Sequence, residues 1–92
     1  MRSKAPAELP TALRDLGLRV AELRAERHLT QANLAEAVGV SLRYLQAVEG
    51  GKQNLKVLTL ERFALALDVG MLELFRRPTI RPRGPGRPRK AE

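Results

Sequence analysis

The sequence predicts an all-α fold: one compact domain of five helices, residues 11–75, between an N-terminal arm, residues 1–10, and a C-terminal tail, residues 76–92. Three observations lead there. Apolar residues recur at three- and four-residue intervals through 11–75. Nothing alternates apolar with polar residues as a half-exposed strand does, and no segment repeats. All six prolines fall outside that stretch, at 6, 10, 78, 82, 85 and 88, so both ends read as extended arms, the tail as a disordered one.

The elements follow in order. Leu13, Leu16, Val20 and Leu23 form the apolar stripe of a first helix that ends near His28, with Arg14, Arg19, Glu22, Arg24, Glu26 and Arg27 largely off it. Glu22, Glu26 and Glu36 read as exposed helix-face charges. Thr30 is the expected N-cap of a second, two-turn helix with Leu34, Ala35 and Val38 inward. Gly39 ends it in a left-handed residue, and Ser41 caps a third helix containing Leu45 and Val48. Gly50-Gly51 stops that helix. Thr59 is the expected cap of a fourth, with Leu60, Phe63, Ala64 and Leu67 at helical spacing. A short fifth helix, Gly70 to Phe75, is expected to use Leu72 and Phe75.

Composition removes whole classes of function. At 92 residues the chain is too short for a nucleotide-binding α/β fold or a barrel of about 250 residues. A domain this small buries only about 60% of its unfolded surface, so marginal stability and self-association are expected. The absence of cysteine excludes disulfides, thiol nucleophiles, iron–sulfur clusters and the usual structural zinc sites, and His28 is the only histidine. No metal, cofactor or small-molecule substrate is expected, and no paired carboxylates suggest an enzyme. Gly50-Gly51-Lys52 lacks the spacing of a phosphate-binding loop. Met1-Arg2-Ser3-Lys4 is basic, but no apolar run follows. A soluble, cytoplasmic protein with no membrane partner is expected.

The charge is unevenly placed. Of the formal +7, residues 76–92 carry seven basic side chains against Glu92, a net +6, which leaves the other 75 residues nearly neutral at +1. A neutral body with a basic tail points to a polyanionic partner.

Two short helices around a tight glycine turn form a helix-turn-helix, which braces its second helix for the major groove. Counting from Gln31, the small Ala35 comes four residues on, Gly39 eight, Val40 nine, Leu45 fourteen and Val48 seventeen. Ala35 lets the helices cross closely, and Val40, Leu45 and Val48 plug the angle between them. Leu29-Thr30-Gln31-Ala32-Asn33-Leu34-Ala35-Glu36-Ala37-Val38-Gly39-Val40-Ser41 and Val48-Glu49-Gly50-Gly51-Lys52 resemble the Cro/phage-repressor helix-turn-helix family, often labelled Xre. The resemblance runs roughly from Leu16 to Leu74. It implies a five-helix repressor-like domain that binds double-stranded DNA as a transcriptional regulator in the cytoplasm, at the nucleoid. One departure is Gly50, where the family more often has a larger polar residue; a looser end to the third helix is expected.

At about 100° per residue, with Leu45 at zero, the outward direction of the third helix lies near 150°. Arg43 falls at about 160°, Ala47 at about 200°, Gly50 at about 140° and Gln46 at about 100°. Arg43 suits guanine O6 and N7, Gln46 suits adenine N6 and N7, and Ala47 is small enough for a thymine methyl. The resemblance adds Leu42, in the first turn, and Tyr44 is grouped with it. Gln31 and Ser41, at helix N-termini, are candidates for phosphate contacts. The resemblance places Lys52, Gln53, Asn54 and Lys56 against the DNA backbone as well. It also implies a homodimer on half-sites about 34–36 Å apart, for which Met71, Leu72 and Phe75 are the candidate contact.

In the tail, Pro82-Arg83-Gly84-Pro85-Gly86-Arg87-Pro88 reads the same in both directions and resembles an AT-hook, although Pro85-Gly86 interrupts its central Arg-Gly-Arg. The resemblance implies that Arg83 and Arg87 reach into A/T-rich minor groove; Arg81, Arg89 and Lys90 join them as candidate DNA contacts of the tail, for which phosphate binding alone, or a solvated or partner-binding arm, fits as well. An architectural nucleoid protein and an antitoxin or accessory interaction module are the rival readings of the whole chain.

Overall fold

The computed structural model describes residues 9–80. Its elements are α1 (Leu9–Glu26), α2 (Gln31–Val38), α3 (Leu42–Glu49), α4 (Val57–Leu67) and a 3₁₀ turn (Met71–Phe75), with no strand among the described residues. None of these helices is long and apolar enough to cross a membrane.

Local chemistry sets the turns around α2 and α3. The Thr30 hydroxyl accepts from the Asn33 N–H at 2.9 Å, and the Ser41 hydroxyl accepts from the Tyr44 N–H at 3.0 Å. Each cap satisfies a backbone donor that its helix leaves unpaired. Between them Gly39 adopts φ 90° and donates to the Ala35 carbonyl. This is a left-handed turn that glycine enters at no steric cost. At the end of α3, the N–H groups of Gly50, Gly51 and Lys52 donate to the carbonyls of Gln46, Val48 and Ala47 at 2.9–3.0 Å. With Gly50 in place, the carbonyls of Gln46, Ala47 and Val48 at that helix end are all bonded.

Three boundaries differ from the sequence reading. First, α1 takes in Leu9 and Pro10, which were counted with the N-terminal arm; proline is accommodated in a first turn because its missing N–H would have no helical partner there. Second, α4 starts at Val57, so Thr59 lies inside its first turn and Lys56 holds the cap position without a side-chain bond. An exposed helix start can leave its donors to water. Third, the expected fifth helix is a 3₁₀ turn of five residues, with i to i+3 bonds from Glu73 to Gly70 and from Arg76 to Glu73. The tighter period of three residues aligns Met71 with Leu74 and Leu72 with Phe75. Burial therefore falls on Leu74, with Met71 half-buried, while Leu72 and Phe75 stay 83% and 57% exposed.

The core gathers Leu16, Val20 and Leu23 of α1, Leu34, Ala35 and Val38 of α2, Leu45 and Val48 of α3, Leu60, Phe63, Ala64 and Leu67 of α4, and Leu74. Phe63 is fully buried at its centre. The N-terminal half of α1 crosses close against the end of α3. A Cβ on Gly17 would lie 2.3 Å from the Val48 carbonyl oxygen and 2.8 Å from that of Glu49. The next turn is pressed on α1 too: at Gly51, where φ is 74°, a Cβ would come within 2.8 Å of the Arg14 Cα.

The outer flank of α1 holds an ion cluster. Glu22 is buried, unlike Glu26 and Glu36, which are exposed as expected. Its carboxylate accepts from Arg19 Nη1 at 2.9 Å and from the backbone N–H and hydroxyl of Thr79. Hydrogen bonding by Thr79, aided by Arg19, holds the Glu22 carboxyl below its ordinary range even though burial pushes it upward. A carboxyl that is more acidic folded than unfolded stabilises the fold at neutral pH, and that stability is lost as pH falls through the folded value. Denaturant unfolding from about pH 6 down to pH 3 should therefore show a loss in the wild type, starting below about 4.3, that is smaller in Glu22→Gln.

Candidate nucleic-acid interface

The two caps and the Gly39 turn fix α2 against α3, and Leu45 and Val48 fasten the inner side of α3 to the core. That leaves the opposite side free. Leu42, Arg43 and Gln46 are exposed, with Leu42 at 43%. Ala47 is half-buried, and so is Tyr44, whose ring packs on the core. Ser41 lies exposed at the start of α3 with its hydroxyl engaged in capping. In the loop to α4, Lys52, Asn54 and Lys56 are exposed and Gln53 is half-buried. The tail candidates Arg81, Arg83, Arg87, Arg89 and Lys90 lie outside the described residues.

Gln31 has a second role that the sequence reading missed. Its Nε2 donates to Glu49 Oε1 at 2.9 Å, and its Oε1 accepts from Gln46 Nε2 at 3.4 Å. Glu49 is in turn gripped in a fork by Arg24, Nε to Oε2 at 2.7 Å and Nη2 to Oε1 at 3.1 Å, while Arg24 Nη1 donates to the Leu29 carbonyl at 2.9 Å. A relay thus runs Arg24–Glu49–Gln31–Gln46, from the inside of α1 to the exposed side of α3. Two-point ion pairing restricts each partner's orientation as well as its position. The available signal was Glu49 one turn after Leu45, hence close to the inward direction of α3, where a charge needs a partner.

Beside this relay lies a groove of about 450 Å³ lined by Leu18, Ala21, Ala25, Gln31, Gln46 and Ile80 among others. Among the described residues no group of acidic or histidine side chains could hold a metal ion. The arrangement offers hydrogen-bond donors and a guanidinium on a protruding helix. It suits recognition of base edges and phosphates.

Fold and surface together define the helix-turn-helix class of DNA-binding proteins. The chain belongs to the HTH_3 helix-turn-helix family, whose profile matches residues 20–74. It is 41% identical over 59 residues to an uncharacterized HTH-type transcriptional regulator of Sinorhizobium fredii, covering 64% of this chain and 77% of that one. Among solved structures it resembles the restriction-modification controller protein C.AhdI of Aeromonas hydrophila, with a TM-score of 0.69 and 35% identity over 71% of this chain and 98% of that one. It also resembles SinR, a master regulator for biofilm formation solved in complex with DNA, with a TM-score of 0.63 and 32% identity over 66% and 98% of the two chains.

Proposed function

We propose that this protein is a sequence-specific double-stranded DNA-binding transcriptional regulator, not an enzyme, that inserts α3 into the major groove. The observation that carries the reading is the split character of α3. Its apolar side is sealed by Leu45 and Val48, and its exposed side presents Leu42, Arg43 and Gln46, the last held by Gln31. Arg43 and Gln46 read base edges with Leu42, Tyr44 and Ala47 around them. Ser41, Gln31 and the loop residues Lys52, Gln53, Asn54 and Lys56 lie along the phosphates. The basic tail adds electrostatic affinity on phosphates or A/T-rich minor groove.

Selection from a randomised duplex pool tests this directly. One motif should be enriched, and Arg43→Ala should weaken binding to it by about 1–3 kcal/mol while leaving random DNA nearly unaffected. No enriched motif, or equal loss on both DNAs, overturns base readout by α3.

A homodimer gives the short α3 a second half-site. The apolar side chains left most exposed are concentrated on α4 and the turn after it: Val57, Leu58, Leu65, Leu72 and Phe75. Met71 is half-buried beside Leu72. Exposed apolar surface of this extent on a small domain marks an interaction site. Sedimentation should find a dimer for the wild type and a monomer for Leu72→Asp/Phe75→Asp; equal masses for both would remove this surface from the interface.

A further inference from the structure

The apolar core closes at Leu74, yet the described chain continues in contact with the domain. After the 3₁₀ turn, residues 76–80 come back against α1. The Thr79 N–H donates to Glu22 Oε2 at 3.2 Å, and its hydroxyl donates to the same carboxylate. Arg19 joins this point to the turn: Nη1 donates to Glu22 at 2.9 Å, Nε to the Glu73 carbonyl at 2.8 Å and Nη2 to the Glu73 carboxylate at 3.1 Å. Glu22 is only 6% exposed. The neighbouring Ile80 then forms part of the same groove wall as Gln31, Gln46 and Gly50. Ile80, the last described residue, therefore lies next to the exposed side of α3.

We propose that Arg19, Glu22 and Thr79 form a clasp that fixes the origin of the basic C-terminal segment beside α3, so that its arginines meet the DNA immediately flanking the base-reading site. The three are positioning residues, and their role rests on the reading that residues 81–92 bind DNA. The physical gain is effective concentration. With the clasp closed, Arg87 lies seven residues on from the anchored Ile80; with it open, it lies thirteen on from Leu74. Local concentration of a tethered group falls roughly as the −3/2 power of tether length, which makes the closed clasp worth about two- to fivefold in affinity, more for the arginines nearest its origin. A fixed origin also gives the segment one direction along the duplex.

The chain has no cysteine, so a single Ala91→Cys in the full-length protein can carry an iron–EDTA cleavage reagent. The DNA is the duplex enriched from the randomised pool. In this background Thr79→Ala, Glu22→Gln, their double variant, and a chain with Arg81, Arg83, Arg87, Arg89 and Lys90 all changed to Gln are compared. Thr79 is exposed, so its substitution leaves the core intact, and circular dichroism checks each variant. Cleavage by the parent should fall in a narrow window at a constant offset from the motif. In the clasp variants the window should broaden and affinity should drop about two- to fivefold. An unchanged window and affinity in the double variant, with clear loss in the neutralised tail, overturns the clasp and leaves tail binding standing. Unchanged affinity and salt dependence in the neutralised tail overturns the tail reading, and the clasp with it.

Discussion

Arg24→Ala is expected to destabilise the domain by about 3 kcal/mol, at the lower end of what breaking a buried ion pair costs because Arg24 retains some solvent access. The cause is the partner left behind. The Glu49 side chain is only 8% exposed and would be left with Gln31 as its remaining donor. Equilibrium urea unfolding reads this loss; a change under about 1 kcal/mol would mean that Glu49 swings out to water. An apolar double replacement, Arg24→Met/Glu49→Leu, should recover much of the stability, since well-packed apolar residues often match a buried pair. It should not recover DNA affinity, because Gln31 loses its acceptor and Gln46 its support. Stability regained without binding would show that the relay serves recognition; both regained together would show that it serves only the fold.

Gly17→Ala is the second large effect, about 3 kcal/mol of destabilisation, at the upper end for one added carbon in a packed interior. The obstructing atoms are backbone carbonyl oxygens at 2.3 and 2.8 Å, which cannot rotate away as a side chain could. Relief requires α1 to move off α3. The variant should therefore also lose affinity for DNA at temperatures where it remains folded, because the end of α3 is displaced. A melting temperature within about 2 °C of the wild type would show that the two helices separate at little cost.

Features governed by neighbours in sequence were the legible ones. Thr30, Gly39 and Ser41 act on backbone groups within four residues, and Leu45 with Val48 sets the facing of α3 by periodicity alone. The relay was not legible as a whole, because Arg24 and Glu49 are 25 residues apart and nothing local says which cation meets Glu49. Glu22 failed for the same reason, its partner Thr79 lying 57 residues away. The 3₁₀ form of residues 71–75 was not legible, because so short a segment carries no periodicity that separates it from a turn of α-helix. Gly17 carried no signal at all, since a glycine in the interior of a helix reads as a small propensity cost and its reason lies in another helix.

The separation of α3 into a sealed side and a free side bears on how such a regulator diverges. Leu45, Val48 and the Gly17 crossing hold the helix without any help from Leu42 or Arg43, so changes at those two positions leave the scaffold's stability nearly untouched. A duplicated copy of this chain could acquire a new operator through a few surface substitutions while still folding. Gln46 is less free to change, because Gln31 ties it to the interior. If α3 reads bases as proposed, drift in sequence preference should begin at the N-terminal half of α3, with any base pair read by Gln46 the last to be redefined.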